Sequence, residues 1–431
     1  MKYTYLIVFV LTFLACNQSK TNKDTLISKT TSSTPNILFL IADDMGKDAI
    51  GGFSEGHIKP KTPHIDSIRQ SGLSFSNFWT YPTCSPTRAS MITGKYGYRT
   101  NVRWANQVLD PSELILQKYI NTNTNNKYAT AVVGKWHLSG FDTTTNPENF
   151  GLDYYAGLFN GSVKDYYNWP LTEDGISKTS TEYTTTKFTN LATNWIQQQD
   201  KPWFMWLAYN APHTPFHVPP SIMHNQGPLP EYTNQLDPTP YFMASIEAMD
   251  YQIGQLLDQL PKAERDNTVI IFIGDNGTEP DVAQAPYGSN QVKRSIYQGG
   301  INMPLFVSGK GVTRTGIDTN LITSSDIFAT LSEVAGVTTT EINDSKSFNS
   351  LFTKEDRIRK YQYSEMKNNT KDAWTISNGA YKLLIFANGT EEFYNLEVDP
   401  YEKKNLVLQT LTYDQEYVKT QLEEELFTIR Q

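Results

Sequence analysis

The stretch Asn36-Ile37-Leu38-Phe39-Leu40-Ile41-Ala42-Asp43-Asp44 joins a continuous apolar run directly to two adjacent acids. Such a run predicts a strand buried on both faces, and the acids mark its end. The same pattern, each time followed by polar residues, recurs at residues 130–134, 203–208 and 268–274. Helical patterns at 62–71 and 241–260 alternate with these runs. The sequence therefore predicts an α/β fold with a mostly parallel sheet covered on both faces, and ligands at the carboxyl ends of its strands.

The composition of the chain is that of a globular protein. Its 431 residues are 39% hydrophobic and 13% aromatic, which supplies a sizeable core and excludes disordered, collagen-like and coiled-coil classes. The 37 Lys and Arg against 45 Asp and Glu give a formal net charge of −8, and there is no long basic run. We therefore expect no nucleic-acid partner, and an anionic substrate would need a local cluster of cations.

The N-terminus has the pattern of an export signal. Lys2 precedes an apolar run at residues 6–15 that is too short to span a bilayer. Leu14-Ala15-Cys16 resembles the bacterial lipobox, which predicts a signal peptide at 1–15 and lipidation of Cys16; a plain signal peptide with an incidental cysteine stays open. Residues 16–34 are polar and predict a flexible tether. We expect an exported protein in the cell envelope of a Gram-negative bacterium, facing the periplasm and attached to the membrane only through its lipid.

The last part of the chain has a different pattern. Short alternating segments occupy residues 373–377, 381–387 and 391–395, and Asn-Gly pairs separate them. This arrangement predicts a small antiparallel sheet. A helical stretch at 414–429 would pack that sheet against the large domain. We therefore expect a catalytic domain at 35–356 and a C-terminal subdomain at 357–431.

Two pairs of oxygen-bearing side chains follow predicted strands. Asp43-Asp44 ends the first strand and Asp275-Asn276 ends the strand at 268–274. Adjacent carboxylates repel each other unless a cation lies between them or they point in different directions. Four oxygen ligands without a nearby His or thiolate suit Ca²⁺ or Mg²⁺ rather than zinc. The sequence thus predicts one hard divalent cation, Ca²⁺ or alternatively Mg²⁺.

Once Cys16 is assigned to the anchor, Cys84 is the one cysteine that remains, so no intrachain disulfide is expected. It opens the segment Cys84-Ser85-Pro86-Thr87-Arg88-Ala89-Ser90-Met91-Ile92-Thr93-Gly94. This segment resembles the type I sulfatase signature C-x-P-S/T-R-x-x-x-L/I-T-G at every defined position. The resemblance implies an alkaline-phosphatase-like α/β/α sandwich and a sulfuric ester hydrolase.

The same resemblance implies that Cys84 is converted to Cα-formylglycine by a formylglycine-generating enzyme or an anaerobic sulfatase-maturing enzyme. A thiolate is a poor ligand for Ca²⁺, whereas a hydrated aldehyde offers two geminal hydroxyls. One hydroxyl would attack sulfur to form a covalent sulfoenzyme intermediate, and the other would expel sulfate. Arg88, four residues on, would bind the aldehyde hydrate or the carboxylates that hold the metal.

Three further elements resemble sulfatase motifs. In Gly134-Lys135-Trp136-His137, Lys135 would contact sulfate and His137 would assist its elimination. In Pro212-His213-Thr214-Pro215, His213 would bind sulfate and help to protonate the leaving alcohol. Lys293 opens a K-x-x-x-x-E-G-G element in which Gln298 replaces the usual Glu, and it would place a second cation on the leaving oxygen.

Two other functions are compatible with parts of this pattern. A phosphatase or phosphodiesterase of the same superfamily would need several His ligands for two zinc ions, but the chain has six His in all. A protein that only binds sulfated glycans would result if Cys84 stayed a thiol. The expected substrate is a sulfated carbohydrate, such as an algal polysaccharide of the ulvan, carrageenan or fucoidan type or its oligosaccharides.

Two aromatic clusters are candidates for contacts with sugar. Arg103 and Trp104 follow the cysteine signature and predict substrate contacts, although core packing of Trp104 is an equal alternative. Tyr166, Tyr167 and Trp169 carry the same two interpretations.

Overall fold

The computed structural model describes Met1 and residues 34–140, 147–368 and 372–431. The predicted signal peptide, Cys16 and all but the last residue of the predicted tether lie outside the described residues, apart from Met1. The described residues from 34 onward group into one compact unit. Within the described ranges, no helix combines the length and the apolar character needed to cross a bilayer.

The strands, in chain order, are β1 (Asn36–Ala42), β2 (Leu73–Trp79), β3 (Ala129–Lys135), β4 (Tyr155–Leu158), β5 (Trp169–Glu173), β6 (Ile176–Ser180), β7 (Trp203–Ala208), β8 (Thr268–Gly274), β9 (Leu305–Gly309), β10 (Gly316–Thr323), β11 (Glu341–Ile342), β12 (Ser345–Lys346), β13 (Gln362–Lys367), β14 (Asp372–Ser377), β15 (Tyr381–Phe386) and β16 (Glu391–Asn395). The four strands predicted from apolar runs are β1, β3, β7 and β8.

The helices are α1 (Pro63–Gln70), α2 (Cys84–Thr93), α3 (Gly97–Thr100), α4 (Leu116–Asn123), α5 (Thr184–Gln197), α6 (Thr239–Gln259), α7 (Lys262–Asp266), α8 (Gln298–Ile301), α9 (Asp326–Val334) and α10 (Tyr413–Ile429). Those predicted at 62–71 and 241–260 are α1 and α6.

Ten strands form the large sheet in the order β10-β2-β9-β8-β1-β7-β3-β4-β5-β6. The central neighbours β8, β1, β7, β3 and β4 all run parallel. β9 is antiparallel to both of its neighbours, and the hairpin of β5 and β6 adds antiparallel strands at one edge. Because the parallel strands share a direction, their carboxyl ends meet at one edge of the sheet, as the sequence predicts.

Two apolar layers bury the two faces of the large sheet. Alternate residues of β1 point to opposite faces, so Leu38 and Leu40 belong to one layer while Ile37 and Phe39 belong to the other. The first layer contains residues of α1, α5 and α6, and the second contains residues of α2, α4 and α9. Helices thus cover both faces of the sheet, which is the predicted α/β/α sandwich. The apolar residues on both faces of β1 are buried by these two layers.

The C-terminal residues form the small antiparallel sheet that the Asn-Gly pairs predict. Its strand order is β13-β14-β15-β16. One face packs on α10 through a cluster that includes Leu383 and Leu422. The other face packs on Ile296 of the large domain through Leu384. The sheet thus lies between α10 and the large domain, and α10 also reaches the large domain, because the Tyr98 hydroxyl donates a hydrogen bond to the Ile429 carbonyl. The domain boundary at residues 356 and 357 stays a prediction.

Candidate active site

The two acidic pairs meet at the carboxyl edge of the large sheet. β1 and β8 are neighbours with Ala42 opposite Gly274, so Asp43 and Asp275 leave the sheet at the same level. The Asp275 backbone N–H donates to the Ala42 carbonyl at 3.0 Å. The backbone N–H of Asp44 donates to Asp275 Oδ1 at 3.2 Å. All of these side chains are buried.

The backbone of Asp44 resolves the repulsion between the two adjacent acids. Its φ of 67° is left-handed, a conformation that is uncommon for a residue other than glycine. The two carboxylates therefore contact different cations, Lys135 for Asp43 and Lys293 for Asp44. The structure thus shows two acids whose carboxylates contact different cations, and the metal site predicted for this pair stays a prediction.

Two buried oxygens of this group have no hydrogen-bond partner among the described residues, Asp43 Oδ1 and Asn276 Oδ1. The amide Nδ2 of Asn276 donates to Asp44 Oδ1 at 2.8 Å, so the amide oxygen of Asn276 is the atom that remains available as a ligand. Ligand atoms of Asp43, Cys84 and Asp275 lie within 4.8 Å of one another. Buried acceptors without donors are costly unless a cation binds them. The oxygen ligands present thus fit a hard divalent cation.

Cys84 is the first residue of α2, a helix whose ten residues are all buried. Its N-terminal position places it at the positive end of the helix dipole, which favours a bound anion. Lys135 Nζ lies 3.4 Å from Cys84 Sγ. Burial raises the pKa of the Cys84 thiol to about 12, with Lys135 opposing the effect. The unmodified side chain is therefore a neutral thiol, which is a poor nucleophile and a poor ligand.

Arg88 lies one turn further along α2 and holds Asp275 in place. Its Nε and Nη2 both donate to Asp275 Oδ2, at 3.0 and 2.8 Å. Its Nη1 donates to the Lys135 carbonyl at 2.8 Å. Of the two roles that the sequence leaves open for Arg88, the structure shows the contact with a carboxylate. Arg88 also joins α2 to the end of β3.

Lys135 is the last residue of β3, and His137 lies two residues further on. Gly134, just before Lys135, has φ 103°, and a Cβ there would lie 1.9 Å from the Ala208 carbonyl oxygen, so only glycine fits at this position. His137 also has a left-handed backbone, with φ 58°. Burial, followed by the charges of Lys135 and Arg88, lowers the pKa of His137 well below its usual range. Its imidazole is therefore neutral.

Asn106 orients the imidazole of His137. Its Oδ1 lies 2.8 Å from His137 Nε2, and an amide oxygen can only accept, so Nε2 carries the proton. His137 Nδ1 is then an acceptor, and it is buried with no partner in the part of the chain that the structure describes. The backbone N–H of Asn106 donates to Ser85 Oγ at 3.0 Å, and its φ is 63°. Asn106 thus connects the residue after Cys84 to His137.

His213 faces the centre from the loop after β7. Its Nε2 lies 3.5 Å from Asp44 Oδ2, and its Nδ1 lies 2.7 Å from the Thr214 carbonyl. Tyr166 donates a hydroxyl hydrogen bond to the Asn210 carbonyl at 2.9 Å, which fixes the start of this loop. Burial lowers the pKa of His213 to about 4, although Asp44 opposes the shift.

Lys293 contacts the same Asp44 oxygen as His213 does. Its ammonium also lies 2.7 Å from Glu279 Oε2. Burial disfavours the charged lysine, but Asp44, Cys84 and Glu279 together outweigh it and raise the pKa of Lys293. Lys293 and His213 therefore lie side by side at one oxygen of Asp44, and Lys293 is the charged residue of the two.

The buried charges leave an excess of one negative charge. Four buried carboxylates face three buried cations; the carboxylates are Asp43, Asp44, Asp275 and Glu279, and the cations are Arg88, Lys135 and Lys293. One divalent cation would change this sum to one positive charge. That charge complements a sulfate ester, which is a monoanion.

Other predicted residues lie in structural contacts. Arg103 Nη2 pairs at 2.6 Å with Glu365, which is fully buried in the small sheet. Trp104 packs, partly buried, beside Ile296. The substrate role predicted for these two residues stays a prediction.

The second aromatic cluster is divided between interior and surface. Tyr166 and Trp169 are buried, and Tyr166 stacks on His217 with ring centroids 3.7 Å apart. Tyr167 is exposed.

Two residues of the site were not found from the sequence, Asn106 and Glu279. Neither belongs to a recognisable pattern, because each acts through a contact with a residue far away in the chain.

The remaining histidines do not build a second metal site. Across the described ranges, the single group of three or more potential His, Cys, Asp or Glu ligands is Asp43, Cys84 and Asp275. His217 and Tyr183 contact each other, and His64 lies under Gly254. The two-zinc alternative is therefore not supported by the described residues.

Comparisons with known proteins agree with this geometry. Residues 35–337 match the sulfatase family, and residues 290–431 match the C-terminal region of N-sulphoglucosamine sulphohydrolase. An arylsulfatase of Klebsiella aerogenes is 26% identical over 70% of this chain and 87% of its own length.

Solved structures share the fold. The structure of Ps i-CgsB in complex with k-i-k-neocarrahexaose has a TM-score of 0.76 at 24% identity, covering 92% of each chain. That of BT4656 in complex with D-glucosamine-2-N,6-O-disulfate has a TM-score of 0.75 at 21% identity, covering 92% of this chain and 97% of the other. Because the sulfatase match spans well over half of its residues, the chain belongs to the sulfatase family of sulfuric ester hydrolases.

Proposed function

We propose that this protein removes sulfate from a sulfated carbohydrate, with a formylglycine at position 84 and one hard divalent cation. The observation that carries the proposal is the place of Cys84, whose sulfur shares one buried centre with the carboxylates of Asp43 and Asp275. A neutral buried thiol has no evident use beside these groups, whereas an oxygen nucleophile does. The signature that begins at Cys84 supports the conversion.

Asp43, Asp44, Asp275 and Asn276 are the residues that would hold the cation, Ca²⁺ by preference and Mg²⁺ as the other candidate. The hydrated formylglycine would supply the attacking hydroxyl, and the cation would supply positive charge for that hydroxyl and for the sulfate oxygens. Arg88 holds Asp275 in position through its two hydrogen bonds and opposes the burial that raises the pKa of this carboxyl to about 6.

Lys135 and Lys293 would bind the sulfate group from two sides. Lys135 Nζ lies 3.4 Å from Cys84 Sγ, so an anion attached to the side chain at position 84 would contact the Lys135 ammonium. Lys293 approaches from the other carboxylate, Asp44. The N-terminus of α2 adds backbone donors at the same place. These fixed charges stabilise negative charge without any rearrangement during the reaction.

Two histidines would move protons on opposite sides of the sulfate. His137 presents an unpaired Nδ1, and Asn106 holds its tautomer, so it can accept a proton when sulfate leaves the enzyme. His213 lies beside Lys293 on Asp44, where a leaving alcohol would need a proton and a positive charge. Because burial lowers the pKa of His213 to about 4, it would donate a proton once the negative charge of the bound ester stabilises the imidazolium. The two imidazoles thus divide the two half-reactions between them.

The carbohydrate class is supported by solved relatives of the same fold. Ps i-CgsB was crystallised with k-i-k-neocarrahexaose and BT4656 with a glucosamine disulfate. Among the algal candidates of the ulvan, carrageenan and fucoidan type, the first complex favours carrageenan fragments as the substrates to test first.

The test compares the wild-type protein with Cys84→Ala, both produced together with a formylglycine-generating enzyme. Sulfate release from defined carrageenan, ulvan and fucoidan oligosaccharides is measured by ion chromatography. We expect release by the wild type alone and equal Tm values. Peptide mass spectrometry reports whether position 84 has lost its sulfur. Full activity of Cys84→Ala would refute the mechanism, and a retained thiol with undiminished glycan binding would favour the protein that only binds glycans.

We also propose the cellular context from the sequence. Residues 1–15 would direct export, Cys16 would carry the lipid, and the protein would face the periplasm of a Gram-negative bacterium. A maturing enzyme, either formylglycine-generating or anaerobic, is the required partner. Metabolic labelling with a fatty acid analogue, lost in Cys16→Ala, tests the anchor.

A further inference from the structure

Arg294 lies next to Lys293 at the edge of the active site and has an unusual backbone. Its φ of 72° is left-handed, a conformation that a long side chain rarely adopts. The backbone N–H of Arg294 donates to the Pro82 carbonyl at 2.8 Å, two residues before Cys84. Such backbone strain persists where surrounding contacts maintain it, and it concentrates at functional sites. The position of Arg294 is therefore fixed relative to the reacting residue.

The side chain of Arg294 joins the active site through one carboxylate. Its Nη2 lies 2.7 Å from Glu279 Oε1, while Glu279 Oε2 lies 2.7 Å from Lys293 Nζ. Lys293 in turn contacts Asp44. A continuous series of ion pairs thus runs from the centre outward and ends at Arg294. Its side chain is 53% exposed, whereas that of Lys293 is 6% exposed.

The guanidinium of Arg294 keeps free hydrogen-bonding capacity. Glu279 engages only Nη2, and Nε and Nη1 have no partner within the described part of the chain. An arginine offers five donors in a planar fork that matches sulfate and carboxylate groups. Lys293, the other cation on Glu279, also contacts Asp44, so Glu279 is not its single counter-charge. A guanidinium with Nε and Nη1 available as donors therefore faces solvent beside the sulfate pocket.

The scissile sulfate does not require this additional cation. Lys135, Lys293 and the divalent cation already provide the charge for one monoanion. We propose that Arg294 forms a second anion subsite, which binds another acidic substituent, sulfate or carboxylate, of the substrate that carries the scissile ester. This inference rests on the proposed function and narrows it to substrates with at least two anionic groups near each other.

The test uses matched substrates in the wild type and in Arg294→Ala. The three substrates are a monosulfated sugar, the same sugar with a second sulfate, and the monosulfated sugar linked to a uronate. We expect kcat/KM for one of the two dianionic substrates to fall about 10- to 100-fold more than for the monosulfated sugar, which corresponds to one charge-assisted hydrogen-bonded pair. The substrate that is affected identifies sulfate or carboxylate as the ligand.

Two further variants separate this role from a structural one. Arg294→Lys keeps the charge but not the fork, so it should recover only part of the selectivity. Arg265→Ala removes a surface arginine on α7 and should leave all three substrates unaffected. An equal loss on all three substrates in Arg294→Ala, or no loss on any, would overturn the subsite.

A binding measurement keeps the inference separate from turnover. In a Cys84→Ala background, calorimetry with the dianionic sugars should show Kd values raised about 10- to 100-fold by Arg294→Ala for one of them. Unchanged Kd values for both sugars would overturn the subsite even if no substrate is hydrolysed. Loss of sulfate release by the wild type on every sugar would instead count against the proposed function.

Discussion

Replacing Asn106 with Ala removes one hydrogen bond from the active site and leaves its charges in place. The amide Oδ1 that accepts from His137 Nε2 at 2.8 Å is lost. The backbone N–H that donates to Ser85 Oγ remains. The carboxylates and lysines around Cys84 do not contact Asn106 in the described structure. The substitution therefore tests whether the orientation of His137 matters for turnover.

The size of the effect follows from two local costs. A buried imidazole N–H without an acceptor costs about 1–3 kcal/mol. Alanine at the left-handed φ of 63° adds about 1–2 kcal/mol that asparagine largely avoids. The free energy of unfolding should fall by about 2–5 kcal/mol. Because a positioned acid or base contributes about 10²- to 10⁴-fold, loss of its orientation should lower kcat by about 10- to 100-fold.

The assay is steady-state hydrolysis of an aryl sulfate, with kcat and KM determined separately and stability measured by denaturant unfolding. The matched control is Asn125→Ala, because Asn125 is exposed and also has a left-handed φ, 54°. It should lose about 1–2 kcal/mol from strain alone and keep its kcat. Asn106→Asp keeps an acceptor and should retain most of the wild-type kcat.

A kcat for Asn106→Ala within twofold of the wild type would refute the orienting role. So would a KM that rises while kcat stays constant, because that pattern indicates lost binding rather than a slower chemical step.

Three other predictions address the acid, the metal and the fold. His213→Ala should slow alkyl and sugar sulfates by at least about tenfold more than activated aryl sulfates, because poor leaving groups need a proton; equal losses would remove His213 from the acid role. Chelation should lower both activity and Tm, and Ca²⁺ should restore them better than zinc, because the site offers oxygen ligands and buried negative charge; better restoration by zinc would contradict the ligand assignment. Burial raises the pKa of Asp250 to about 7, against hydrogen bonds from the Ile65 and His64 backbone. A carboxyl group whose pKa is higher in the folded than in the unfolded state stabilises the protein below the unfolded pKa, near 4, and loses this contribution as the pH rises to about 7. The Tm of the wild type minus that of Asp250→Asn should therefore fall between these two pH values. A Tm difference that does not change with pH would exclude the raised pKa of Asp250.

Local patterns were enough to predict the main architecture. The apolar residues of β1 specify a strand buried on both faces, and two apolar layers enclose it in the structure. The acids at its end could be assigned to a cation site because parallel strands end at one edge. Asn-Gly pairs at 378–379 and 388–389 separate β14, β15 and β16 as predicted.

Contacts between distant residues could not be derived in this way. Arg103 pairs with Glu365, 262 residues away in the chain, and nothing in its own surroundings indicates that partner. Asn106 and Glu279 likewise gain their roles only when folding brings them to His137 and Lys293. The antiparallel course of β9 was also not predicted, because an apolar run specifies burial and not direction.

The complete burial of α2 limits when the proposed conversion of Cys84 could take place. Cys84 is 2% exposed and the nine residues after it are covered as well, so no other protein can reach that sulfur after folding. If Cys84 is converted as proposed, maturation and folding would compete for each newly made chain, and the outcome would be final for that molecule. The specific activity of a preparation would then record kinetics during biosynthesis, and slower folding, rather than greater stability, would increase the active fraction.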